Sequence, residues 1–142
     1  MHSRVVEKIK MEEGDKARMY KCPAGKWTIG AGINLEAQEM PQHIRDMWLR
    51  HIIDKRHISL RENENIPYPN FDKPFVISDV DLVLLDMSYQ MGVSGLLGFK
   101  KMLAAIEAGD YQLAADELLD SSYAQQTPNR ANRNAELLRG CE

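Results

Sequence analysis

The residues from Lys16 to Gly32 admit few folds. Two runs able to extend, Lys16 to Lys21 and Lys26 to Gly32, flank Cys22-Pro23-Ala24-Gly25. Proline at the second position and glycine at the fourth suit a type I turn, so the stretch predicts a β-hairpin. Strand alternation puts Trp27, Ile29 and Ala31 on one face, expected to be a core face, and Thr28, Gly30 and Gly32 on the other. That second face is nearly bare backbone with a single hydroxyl, which suits close approach of an extended ligand. By spacing alone the plainer reading, a glycine-softened strand, has the better claim.

The rest of the chain reads as helix. Residues 3–13 form the first, with Ser3 as N-cap and Val6, Ile9 and Glu13 along one stripe. Glu13 then ends the helix at the edge of an apolar face, half out of water, the setting a proton donor needs. Glu12 also projects near Ile9, so periodicity does not choose between the two acids. Leu35 to Met40 is a connector. Pro41 opens a helix that runs to about residue 58 on the stripe Ile44, Met47, Trp48 and Ile52. Asn63 to Pro74 is a loop, since Pro67, Pro69 and Pro74 forbid regular structure; Tyr68 and Phe71 give it a packing role. Ser78-Asp79 starts a helix that is apolar on all sides through Met87, hence central and buried, and that ends at Gln90-Met91-Gly92. A helix near 95–108 presents Leu96, Phe99, Met102, Leu103 and Ile106. Gly109 ends it, Asp110 caps a helix over 110–119, and Thr127 with Pro128 starts the last as N-cap and N1.

A length of 142 residues bounds this to one domain's worth of chain, with room for two lobes sharing a core. The net charge of −3 argues against nucleic acid as the main partner. Locally the balance reverses: residues 1–30 hold seven Lys and Arg against four acids, a +3 excess that suits an anionic polymer, although a solvated face is the plainer reading of most of these charges. No apolar run is long enough to span a bilayer, and the N-terminus lacks a signal-peptide core, so no membrane insertion is expected. Cys22 and Cys141 make no disulfide framework, and His43, His51 and His57 have no metal-ligand spacing; they read as surface or boundary residues.

Glu13-Gly14, Tyr20 and Gly25-Lys26-Trp27-Thr28-Ile29-Gly30-Ala31-Gly32 together resemble the active-site hairpin of phage-type lysozymes, glycoside hydrolase family 24. A second block resembles the family's helical lobe: Gln90-Met91-Gly92, Gly95, Gly98-Phe99, then Gln126-Thr127-Pro128-Asn129-Arg130-Ala131 and Arg133. The similarity covers roughly residues 4–35 and 79–139. It implies an α+β, mostly α, lysozyme-like fold in a single domain over 1–142: a helix-plus-hairpin lobe (about 1–40), a linking helix (41–62) and a helical lobe (63–142), with the cleft between lobes.

It also implies a chemistry. Glycosidic cleavage needs a proton for the leaving oxygen, and a base or nucleophile on the opposite face of the sugar. By resemblance Glu13 is the acid, Thr28 helps hold the water, and Arg130 pairs with the catalytic Glu. The family's second carboxylate, an Asp at the start of the turn, is replaced by Cys22. Lys21 and Lys26 flank that thiol and are expected to favour its thiolate. Asp15 is an alternative carboxylate, two residues past Glu13 and badly placed for the far sugar face. Ile33 stands where the T-even members carry a histidine, and Tyr123 replaces a cleft tryptophan. Asn34, Tyr89, Gln90, Gln126 and Thr127 match sugar-binding positions. The implied activity is a muramidase on bacterial peptidoglycan, monomeric, without cofactor or metal. Made in the host cytoplasm, it would reach the wall through a separate pore protein. The rival expectation is a glycan-binding or structural module that keeps the fold and has lost catalysis.

Overall fold

A computed structural model describes residues 3–68 and 77–141. Pro69, Phe71 and Pro74, expected in the loop, lie outside the described residues. The chain divides into two compact units, Met1–Met47 and Trp48–Glu142.

The first unit begins with α1 (Ser3–Glu13), followed by β1 (Lys16–Lys21), β2 (Trp27–Gly30) and β3 (Ile33–Asn34). The expected hairpin is present, extended by a short third strand, and the antiparallel order is β1-β2-β3. Its turn closes with Gly25 N–H donating to Cys22 O at 2.8 Å and Cys22 N–H donating to Lys26 O at 3.0 Å. Gly25 sits at φ 76°, a left-handed conformation that glycine adopts without a Cβ clash. The pairing is Tyr20 with Thr28 and Lys21 with Trp27, and the register shifts between Tyr20 and Lys16, which opposes Gly30.

Trp27 and Thr28 are the reverse of the sequence expectation, while Ile29 and Ala31 are partly buried and Gly32 is exposed. Thr28 is 3 % exposed while Trp27 is 41 % exposed. The small threonine turns inward because its hydroxyl has a backbone acceptor, Lys26 O at 2.9 Å. The indole lies outward beside Lys21, whose Nζ is 5.0 Å from its ring centroid. Val6 and Ile9 of α1 are also exposed. Among the described residues of this unit, Thr28 is the only buried side chain.

α2 (Gln42–Arg61) opens after Pro41 as expected and runs a few residues past its expected end. The division between the units falls inside it, after Met47. Its predicted stripe is largely open, with Met47 and Trp48 exposed and only Leu60 buried. His57, partly buried, shares a 2.7 Å hydrogen bond with Tyr68, as a boundary histidine does.

α3 (Asp79–Leu97) is central to the second unit. Ser78 caps it through a reciprocal pair: Asp81 N–H donates to Ser78 Oγ and Ser78 N–H to Asp81 Oδ2, both at 3.1 Å. Val83, Leu84, Met87 and Leu96 are fully buried, yet Leu82 and Tyr89 are exposed, so the helix is not covered all round. The predicted end at Gly92 appears as a break, φ 79° and ψ 169°, after which the helix resumes to Leu97. The predicted helix over 95–108 is therefore split. Gly98 and Phe99 turn the chain, and α4 (Lys100–Glu107) leaves at 98° to α3.

α5 (Tyr111–Leu119) starts at Asp110, whose side chain accepts from Leu113 N–H, as predicted. α6 (Ser122–Gln126) was not foreseen; Ser121 caps it. α7 (Pro128–Arg139) has Pro at its first turn, but Thr127 gives no side-chain cap: its hydroxyl donates to Tyr123 O at 3.1 Å and so closes α6. Every buried hydrophobic side chain among the described residues, from Leu60 to Leu138, belongs to the second unit.

Candidate active site

The first unit places Glu13 at the last position of α1, before Gly14 at φ 78°. The carboxylate folds back over the hairpin's exit. A Cβ added at Gly32 would stand 2.9 Å from Glu13 Oε2 and 3.2 Å from its Cδ. Gly32 therefore does two things: it adopts φ 73° and leaves room for the acid. Glu13 is exposed, so the half-desolvated setting expected from the stripe is not what the structure has. Glu12 is tied to Lys8 on the solvent side of α1. Asp15 pairs with Lys10 at 3.3 Å, and its Oδ1 lies 3.8 Å from a Cβ built on Gly30.

Cys22 opens the turn, partly exposed. The Lys26 backbone N–H holds its thiol below the ordinary thiol range; partial burial opposes this, and the Ala24 N–H and Thr28 hydroxyl add to it. The expected cause was the charge of Lys21 and Lys26. The structure uses those ammonium groups elsewhere: Lys26 Nζ pairs with Glu36 at 3.1 Å and Lys21 lies over Trp27. Backbone donors in the turn, not side-chain cations, favour the thiolate.

Thr28 has one hydroxyl proton and two acceptors in reach, Lys26 O and the Cys22 sulfur. Thr28→Val should lower stability by about 1 kcal/mol, because Lys26 O keeps the Cys22 N–H and is not orphaned. On a chain of this size that lowers Tm by roughly 3 °C. It also removes a donor to the sulfur, so the pH at which the thiol ionises should rise. Melting and thiol titration of the same sample check both; an unchanged thiol titration would show that the hydroxyl does not serve the sulfur.

Asn34, expected to reach an N-acetyl group, spends its carboxamide oxygen locally. It accepts from Glu36 N–H at 2.9 Å and Ala37 N–H at 3.3 Å, shaping the connector. Ile33 is exposed.

In the second unit Tyr89, Gln90 and Gln126 are exposed and Thr127 is partly so. A cavity of about 580 Å3 in this unit, lined by Phe99, Lys101, Glu117 and Ser121 among others, contains none of them. Arg130 is held by Asp86: Nε donates to Oδ2 at 3.0 Å and Nη2 to Oδ1 at 2.6 Å. Asn134 Nδ2 donates to the same carboxylate at 2.9 Å and lies 3.5 Å from the Tyr123 hydroxyl. Tyr123 stands where the family carries a tryptophan. It is buried and packs edge-on to Phe99, with centroids 6.0 Å apart. Burial, then the Asp86 charge, pushes its phenol up. Asp86 escaped the sequence reading, although an acid inside the apolar run from Leu82 to Met87 was a visible signal.

Burial pushes the Asp86 carboxyl up, but the hydrogen bonds from Arg130 and Asn134 and the charges of Arg130 and Arg133 outweigh it, and the carboxyl lies below its usual range. A depressed carboxylate contributes stability that is fully present above its unfolded value, near ~3.9, and is lost as pH falls through the lower folded value. Asp86→Asn should therefore melt about 2 kcal/mol below the parent at neutral pH, and the difference should shrink in acid. Parallel acid limbs for the two proteins would show that the pair does not couple to folding.

Residues 10–136 match the family model described as phage lysozyme, a span that runs from before Glu13 to beyond Asn134. The chain belongs to the phage lysozyme family, a muramidase-type glycoside hydrolase assignment at family level. It is similar to two Dictyostelium discoideum proteins named probable T4-type lysozyme 2 and probable T4-type lysozyme 1, at 29 % and 28 % identity over 94 % of this chain and 92 % of each of theirs. It is also 26 % identical to the pre-baseplate central spike protein of Enterobacteria phage T4, over 91 % of this chain and 26 % of that protein.

Proposed function

We propose that the protein is a peptidoglycan muramidase, hydrolysing the β-1,4 bond between N-acetylmuramic acid and N-acetylglucosamine. The observation that carries this is the hairpin: an acid laid over Gly32 and, on the same sheet, a thiol whose ionised form the turn favours. Glu13 gives its proton to the leaving glycosidic oxygen as the carbon–oxygen bond breaks. The Cys22 thiolate either takes a proton from water, whose oxygen bonds to the anomeric carbon, or attacks that carbon itself, leaving a thioglycoside that water then hydrolyses. Thr28 supports the sulfur and the water. The resemblance gives Arg130 a supporting role, and in this chain its guanidinium is held on Asp86. Asn34 through its free amide nitrogen, Tyr89, Gln90, Gln126 and Thr127 bind the glycan. No cofactor or metal enters this chemistry.

The setting we infer is a monomeric phage or prophage endolysin, made in the host cytoplasm and admitted to the wall by a separate pore protein. A second reading has its own support: similarity to a phage spike protein, together with Cys22 where the family carries a carboxylate, fits a lysozyme-fold module that holds glycan without cutting it. Turbidity of permeabilised Gram-negative cells separates the two. Loss of turbidity on adding the reduced protein supports the enzyme, and unchanged turbidity with the protein bound to the cells supports the module.

A further inference from the structure

Among the described residues, three of the eight Lys and Arg of the first unit are paired with carboxylates, and Arg4 and Arg45, away from the sheet, are not. Lys8, Lys10 and Lys26 each hold a carboxylate of this chain, Glu12, Asp15 and Glu36. Lys16, Arg18 and Lys21 of β1 form no ion pair among the described residues. Two of these are steadied by aromatic rings instead: Lys16 Nζ lies 4.4 Å from the Tyr20 centroid and Lys21 Nζ 5.0 Å from that of Trp27. A ring face attracts an ammonium without neutralising it, so the charge is positioned and still available. β1 is an edge strand with all three cations exposed, and it stands against a whole-chain charge of −3.

We propose that β1 is a docking strand for the carboxylates of peptidoglycan stem peptides, with Lys16, Arg18 and Lys21 receiving them and Tyr20 and Trp27 positioning the two lysines. The choice of occupant rests on the muramidase reading, which supplies the wall strand as substrate. Charge complementarity supplies the rest: three unpaired cations on one edge strand, with Lys16 at Tyr20 and Lys21 at Trp27, fit a polymer bearing carboxylates at intervals. Docking of this kind acts on encounter and retention of the wall, not on bond cleavage, and it weakens as salt shortens the reach of charge.

The test is co-sedimentation with purified Gram-negative sacculi, run in a Glu13→Gln background so that the sacculi stay whole. The K16Q/R18Q/K21Q protein should sediment about tenfold less than its background at low salt. The difference should vanish on sacculi whose stem carboxylates have been amidated, and at 1 M salt, where screening falls to ~3 Å. Lys21→Gln alone and Trp27→Leu should each show a partial loss of a few-fold, a readout that stands if the triple variant misfolds. Equal sedimentation of all variants would overturn the proposal. So would a difference that survives amidation, which would assign the strand to neutral glycan. Equal charge-dependent sedimentation with phosphatidylglycerol vesicles would also overturn it, by showing a phosphate surface. Because binding is read without cleavage, charge-dependent binding by a protein that never clears cells would sink only the muramidase reading.

Discussion

Glu13→Gln should keep the fold and lose nearly all lysis. The amide matches the carboxyl in size and fits the same space over Gly32, but it has no proton for the leaving oxygen. General acid catalysis contributes about 10²–10⁴-fold, so the residual rate on permeabilised cells should be about a hundredth of the parent's or less. A variant that clears cells at a tenth of the parent rate would remove Glu13 from the mechanism. Glu12→Gln is the matched control. Its carboxylate is bound to Lys8 on the exposed side of α1, so it should remain within a few-fold of the parent. A large loss there would move the acid one residue back.

The second large effect belongs to Cys22. The turn aims backbone N–H groups of Lys26 and Ala24 at the sulfur, an arrangement that stabilises any anion placed there. Cys22→Asp should match or exceed the parent, since a carboxylate is fully ionised at neutral pH and accepts the same donors. Cys22→Ser should be about a hundredfold weaker, because a hydroxyl in the same donors stays protonated. Alkylation of the partly exposed thiol should inactivate the reduced parent. For the parent, activity should rise with pH as the thiol ionises, and Cys22→Asp, whose carboxylate is already charged, should keep its activity at lower pH, where the parent's thiol is still protonated. Rates measured across pH for parent and both variants decide this. Full activity in Cys22→Ala would show that the sulfur has no part in the reaction.

Much of the frame was legible because local chemistry and tertiary outcome agree. Ser78 with Asp81, Asp110 before Leu113, and Pro128 at the start of α7 all cap or open helices where their side chains predict. The hairpin followed from Pro23 and Gly25. The failures have physical causes. α6 has five residues, too few to display a helical period. Gly98 and Phe99 break a stripe that runs on in the sequence, because apolar spacing cannot record a 98° turn. Thr28 was assigned outward by alternation, yet a short hydroxyl side chain bonded to its own strand is easily turned in. At the site, the acid and the thiol were found through family resemblance. The donors that tune the thiol are backbone groups with no letter of their own. Asp86 was hidden for another reason: its partner Arg130 lies 44 residues away, a separation that periodicity does not reach.

The first unit keeps no apolar side chain buried among its described residues. Its amide protons are protected chiefly by the hydrogen bonds of α1, the strands and the turn, each of which can open without disturbing a packed interior. In hydrogen exchange the amides of β1 and β2 should trade deuterium through small local openings, while those of α3 and α7 wait for the whole helical unit to unfold. Two clocks then run in one chain, and the residues assigned to chemistry sit on the faster one. With so little packing to upset, exchanges at the head of the turn, Cys22→Asp among them, should leave the melting of the chain nearly unchanged.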